Sequence, residues 1–286
     1  MTTLTATDLS KTYLLRDGLR FSRLHAVQDV SFELSPGRTV ALVGQSGSGK
    51  STIAKLLMQL ETPTSGSLLL DGEPIGRRGR ALAAYRHRVQ MVFQDPFASL
   101  NPHHSIGHHL VRPLLLHERA TRATVRGAAQ DLLERVNLPA DEEFMERRPH
   151  ELSGGQRQRV AIARALAPGP SVLVADEPVS MLDVSVRLGV LNLLARLQQE
   201  EQLAMLYITH DLATARHFSD EIMVMFEGRV VERGPADDVI LSPQQEFTRR
   251  LLAAAPEPGT SRRFLAEARR RGVPMPDHLA DQEDLA

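Results

Sequence analysis

Val40-Ala41-Leu42-Val43-Gly44-Gln45-Ser46-Gly47-Ser48-Gly49-Lys50-Ser51-Thr52 decides how this chain folds. Four consecutive apolar residues have the pattern of a strand buried on both faces. The glycine-rich run after them matches G-x-x-x-x-G-K-[ST], and Ile53 to Leu60 has helical spacing. Strand, loop and helix in that order form a phosphate-binding unit. Glycines at 44, 47 and 49 let consecutive backbone N–H groups approach an anion, and the helix start adds partial positive charge. Lys50 is placed to reach the β- and γ-phosphates, and the Ser51 hydroxyl to hold Mg²⁺.

Working outward, residues 3 to 11 and 24 to 34 read as short strands, and Pro36-Gly37 after them as a turn. Val172 to Ala175, Met205 to Ile208 and Ile222 to Phe226 repeat the buried-strand pattern, and Val184 to Leu197 is a helix joining two of them. Alternating strands and helices predict an α/β fold with a mostly parallel sheet covered on both faces. Between Pro102 and Ala167 no strand signal appears, while Val125 to Val136 and Gly155 to Leu166 are helical, so a helical insertion is expected at about 95–168. From Pro256 onward prolines and charges replace the periodicity, which predicts a weakly ordered tail, 256–286.

The chain has 286 residues, a formal net charge of −1 and no cysteine. The size allows one full α/β core with a subdomain or tail. The balanced charge makes no case for nucleic acid as partner. Without cysteine there is neither disulfide nor thiolate ligation, and no iron–sulfur cluster is expected. The N-terminal residues lack a signal-peptide profile. The longest apolar run, Leu203 to Ile208, is far short of the ~20 residues that span a bilayer. Any membrane step therefore falls to other subunits.

Val172 to Ala175 runs into Asp176-Glu177. A carboxylate at the C-terminal edge of a strand beside the phosphate loop is where Mg²⁺ is held, and the adjacent Glu177 is the candidate general base for attack on a γ-phosphate. About a hundred residues after the loop lies Leu152-Ser153-Gly154-Gly155-Gln156-Arg157-Gln158-Arg159-Val160. Its small residues open a helix and offer N–H groups and a hydroxyl to another anion.

Together the two motifs resemble the ATP-binding cassette (ABC) ATPases over residues 1 to about 250, within an ATP-binding domain expected at 1–255. The resemblance implies a P-loop NTPase (RecA-like) core with an antiparallel β subdomain and an inserted helical subdomain. It implies that Tyr13 stacks on adenine, that Gln45, Ser46, Ser48 and Thr52 join the glycines around ATP, and that Gln94 senses Mg²⁺ and the attacking water. His210, in Thr209-His210-Asp211, resembles the histidine on the γ-phosphate. Ser153, Gly154, Gly155 and Gln156 then complete the ATP site of a partner subunit, with Asp183 of Ser180-Met181-Leu182-Asp183 beside them. Met181 replaces the usual alanine.

Phe93-Gln94-Asp95-Pro96-Phe97-Ala98-Ser99-Leu100-Asn101-Pro102 is similar to a run in the oligopeptide, dipeptide and nickel importer ATPases. Gln244 to Thr248, leading to Leu251-Leu252, fits the same branch. This implies a membrane importer of oligopeptides or dipeptides, with oligosaccharide or nickel import and a soluble ABC ATPase as alternatives. The implied partners are a second ATPase subunit, two transmembrane permease subunits and, indirectly, an extracytoplasmic solute-binding protein. The implied location is the cytoplasmic face of the cell membrane. His103, His104, His108 and His109 have spacing compatible with a metal site, though such histidines are more often polar surface residues. Arg269-Arg270-Arg271 is shorter than a lipid-binding cluster.

Overall fold

A computed structural model describes residues 2–17 and 20–254. The chain opens with a hairpin, β1 (Leu4–Asp17) and β2 (Arg20–Leu34), followed by β3 (Thr39–Val43), α1 (Lys50–Leu57), β4 (Ser65–Leu70) and β5 (Glu73–Pro74). Then come α2 (Gly79–Arg88), β6 (Val89–Val92), α3 (Pro96–Ser99), α4 (Ile106–Leu116), α5 (Val125–Arg135), α6 (Glu142–Glu146), a 3₁₀ turn (Pro149–Glu151) and α7 (Gly154–Leu166). The remainder runs β7 (Val172–Asp176), α8 (Val184–Glu201), β8 (Ala204–Thr209), α9 (Leu212–Phe218), β9 (Glu221–Phe226), β10 (Arg229–Pro235), α10 (Ala236–Leu241) and α11 (Glu246–Ala254).

Two sheets result, one antiparallel in the order β2-β1-β4-β5 and one in the order β10-β9-β3-β8-β7-β6. In the second, β9, β3, β8, β7 and β6 are parallel and β10 pairs antiparallel at the edge. All five residues of β3 are buried, and they alternate between two cores. Val40 and Leu42 join Leu4, Leu9, Val30, Phe32 and α1, while Ala41 and Val43 join the helical side. The six-stranded sheet is therefore sandwiched between the antiparallel sheet with α1 and a layer of helices. This is the α/β architecture that continuous apolar runs demand, because polar residues there would meet packing on either face. Each fully buried Leu or Val in such a strand contributes about 1.5–3 kcal/mol over an exposed one.

The first two strands extend beyond the expected 3–11 and 24–34. Their outer ends carry exposed Leu14, Leu15, Phe21 and Leu24, which erase the alternation that marks a half-buried strand. Residues 96–166 hold α3 to α7 and no strand. The expected tail 256–286, with Arg269-Arg270-Arg271, lies outside the described residues.

Candidate functional site

β3 ends in a loop whose glycines are dictated by crowding. A Cβ on Gly44 would sit 2.3 Å from the Met225 carbonyl oxygen, and one on Gly49 would sit 2.2 Å from that of Ala26. Gly47 and Gly49 also hold positive φ, +80° and +110°, which side chains disfavour. The loop closes on its own lysine: Lys50 Nζ donates to the carbonyls of Gly44 (2.7 Å) and Gln45 (2.9 Å). Burial lowers the Lys50 pKa, and the negative charges of Glu177 and Asp176 partly restore it. The Ser48 hydroxyl is buried without a hydrogen-bond partner among the described residues, while Gln45, Ser46 and Ser51 are exposed and Thr52 is half-buried. A cradle of this kind, with an ammonium folded onto carbonyls and a spare hydroxyl, fits a polyphosphate.

The carboxylates arrive from the neighbouring strands. Val43 of β3 pairs with Thr209 of β8, and Ile208 pairs with Asp176 of β7, so the three strands end side by side. Asp176 is buried, and its pKa is pushed up to about 6, first by burial and then by the adjacent Glu177, against the pull of Lys50. Glu177 turns the chain in a left-handed conformation (φ 43°), its N–H donating to Ile208 O at 2.9 Å. Its carboxylate accepts a hydrogen bond from Gln94 Nε2 (2.9 Å) on one oxygen and lies 3.2 Å from His210 Nδ1 on the other. Gln94 follows β6 and His210 follows β8, the two strands flanking β7. Three loops from adjacent strand ends thus converge on one acid.

Tyr13 lies half-buried on β1 opposite Leu24, with Lys11 Nζ 4.9 Å from its ring centre. Leu24 is two residues from Ala26, whose carbonyl walls Gly49. The 152–160 stretch behaves differently. Ser153 caps α7, its hydroxyl accepting from Gln156 N (3.2 Å) while its own N–H donates to Gln156 Oε1 (2.9 Å). A Cβ on Gly155 would meet Val186 at 2.5 Å, and one on Gly154 would lie 3.5 Å from Leu182. Asp183 is exposed at the start of α8, with no side-chain cap bond. Among the described residues no hydrogen bond or ion pair joins 153–156 to 44–52 or to Glu177.

A family model described as ABC transporter matches residues 27–180. The chain belongs to the ABC transporter family. It is 46% identical over 89% of its length to the di/tripeptide transport ATP-binding protein DppF of Pseudomonas aeruginosa, covering 79% of that protein. It is 44% identical over 88% of its length to the dipeptide transport ATP-binding protein DppF of Escherichia coli, covering 76% of it. Among solved structures, it resembles the dimeric post-hydrolysis ATP-binding cassette MJ0796 bound to ADP and Pi, at 30% identity and a TM-score of 0.71, over 82% of this chain and 98% of that one. It also resembles cbiO1 from Clostridium perfringens, part of the ABC transporter complex cbiONQ, at 27% identity and a TM-score of 0.72, over 92% and 98% of the two chains.

The metal reading of this cassette's histidines fails. His104 and His108 stack face to face (4.0 Å, 17°), and His109 is buried with Nε2 on the Asn101 carbonyl at 3.1 Å. No group of three or more potential metal ligands occurs among the described residues. The same three histidines line a groove of about 530 Å³ with Met58, Phe93 and Arg112. Two working parts escaped the sequence reading. Asp95 caps α3 through Phe97 N (2.7 Å) and Ala98 N (3.1 Å), a role that Asp followed by Pro96 signals. The Met225 and Ala26 carbonyls shape the phosphate loop from β9 and β2, and backbone oxygens leave no mark in a sequence.

Proposed function

We propose that this cassette binds ATP at residues 44–52 and hydrolyses it as the energy subunit of a peptide importer. In this reading it is one of two cassettes that close over two nucleotides. The observation that carries it is the Glu177 carboxylate, held by Gln94 and His210 beside the phosphate loop. ATP displaces Lys50 Nζ from the Gly44 and Gln45 carbonyls onto its β- and γ-phosphates, while Gly44 to Gly49 present N–H groups and Tyr13 stacks on adenine. Ser51, Asp176 and Gln94 supply a hydroxyl, a carboxylate and an amide oxygen, a hard-donor set suited to Mg²⁺. Bound Mg²⁺ supplies charge neutralisation on the phosphates. A bound dication would favour the ionised form of Asp176 and so offset the burial that raises its pKa.

Glu177 accepts a proton from water as its oxygen attacks the γ-phosphorus and the β–γ bridging P–O bond breaks, leaving ADP and phosphate. His210 contacts the γ-phosphate from its place beside Glu177. Ser153, Gly154, Gly155, Gln156 and Asp183 act on the partner's ATP. Two permease subunits, fed by an extracytoplasmic solute-binding protein, would convert closure into transport at the cytoplasmic face of the membrane. No helix among the described residues is long and apolar enough to cross it. The DppF relatives, named for dipeptide and di/tripeptide transport, support peptides as cargo. Glu177→Gln is expected to lower turnover about 10²- to 10⁴-fold while ATP-dependent dimerisation persists. Turnover at the unmodified rate overturns the assignment.

A further inference from the structure

Gln158 is a polar side chain that the proposed chemistry leaves unused. It lies in α7, three residues from Gly155 and four from Gly154, so it continues the same helix face one turn deeper. It is fully buried (0% exposed), and neither Nε2 nor Oε1 has a hydrogen-bond partner among the described residues. A side-chain amide has two donors and an acceptor oxygen to satisfy, and leaving them unpaired in a core is unfavourable.

What this face meets is the segment after Glu177. Leu182 lies against Gly154 and Val186 against Gly155, and Val179 and Leu182 share a core with Val160 and Ile162 of α7. That segment is tied to the acid itself. Ser180 donates both its N–H (3.2 Å) and its hydroxyl (3.0 Å) to the Glu177 carbonyl, and Leu182 N–H donates to Val179 O (3.2 Å). One helix thus carries Ser153 at its tip, two glycines packed on Leu182 and Val186, and one turn further an unpaired, fully buried amide.

We infer that Gln158 is a positioning residue whose amide bonds to the 178–183 backbone when a partner engages Ser153, fixing Glu177 for its water. This rests on the proposed roles of Ser153 and Glu177. The unpaired amide makes the nucleotide-free packing the poorer of two arrangements, so α7 and the turns after Glu177 move together on closure. A side chain kept only to fill the core would not be an amide without partners.

Gln158→Met, similar in length but without polar donors, separates the two roles. For the purified full chain without nucleotide, its Tm should rise by about 2–4 °C. In the assembled transporter its kcat should fall about tenfold or more with KM for ATP unchanged. Gln158→Leu is carried alongside and should behave alike. Unmodified turnover in a folded variant overturns the inference. A lowered Tm, or failure of both variants to fold, overturns it too, because it marks Gln158 as structural. Glu177→Gln assayed in parallel keeps the levels apart: if it is inactive while Gln158→Met turns over normally, only the role of Gln158 fails. If Glu177→Gln turns over normally, the reading of the site fails.

Discussion

Glu177 and Ser153 both stand at an opening of the fold, yet they are supported in opposite ways. Glu177 is reached from two other strand ends, by Gln94 83 residues before it and by His210 from beyond β8. Ser153 exchanges its hydrogen bonds with Gln156, three residues away on the same helix. The first is a site assembled by tertiary structure. The second is a self-contained helix cap, rigid because Gly154 and Gly155 pack directly on Leu182 and Val186. In the proposed reading, a chain built this way holds one half of a nucleotide site complete and presents the other half outward. Hydrolysis then depends on a second cassette as well as on nucleotide.

Asp176→Asn breaks the assembled half most severely. Turnover should fall about 100-fold or more, because on the proposed assignment a buried carboxylate can no longer serve the cation. Stability should move the other way. An acid whose pKa rises from 3.8 to about 6 stabilises the fold fully below pH 3.8 and loses that contribution as pH rises through 6. The loss amounts to at most about 3 kcal/mol. Without nucleotide, Asp176→Asn should therefore melt above the unmodified chain at pH 7.5, and the gap should close toward pH 4. A lower Tm at pH 7.5 would contradict the burial of that charge. Gly155→Ala attacks the outward half. Its new methyl, 2.5 Å from a Val186 methyl, must displace that side chain, costing about 1–3 kcal/mol and about tenfold in turnover. ATP affinity of the isolated chain, measured by titration, should hold. Tyr13→Ala is the mildest: loss of one stacking ring should weaken ATP binding about fivefold and leave kcat unchanged.

The contrast also governs what the sequence could tell. The runs 40–43, 172–175, 205–208 and 222–226 were legible as strands because burial on both faces leaves no polar interruption. β4, reading Ser-Gly-Ser-Leu-Leu-Leu, and the edge strand β10, with Glu232 and Arg233, carry neither a continuous apolar run nor a clean alternation, and neither was foreseen. Pro113 and the histidines His108 and His109 obscured the apolar spacing of α4, whose buried face includes Ile106, Leu110 and Leu114. Within the site, the local motifs were readable because each is a helix start or a strand end. The Gln94–Glu177–His210 contact was not, since it exists only because β6, β7 and β8 are neighbours in the sheet. Gln158 was hidden for the opposite reason: in a polar motif a glutamine reads as solvated, and only packing reveals it as fully buried.

The most direct test of the divided site is the ATP affinity of the isolated Ser153→Arg chain, measured by titration and set beside its turnover in the assembled transporter. If Ser153 serves the partner's nucleotide, as proposed, the dissociation constant should stay within about twofold of the unmodified chain while turnover falls about 100-fold or more. A dissociation constant that rises in step with the loss of turnover would contradict the account, because it would place Ser153 in the chain's own site.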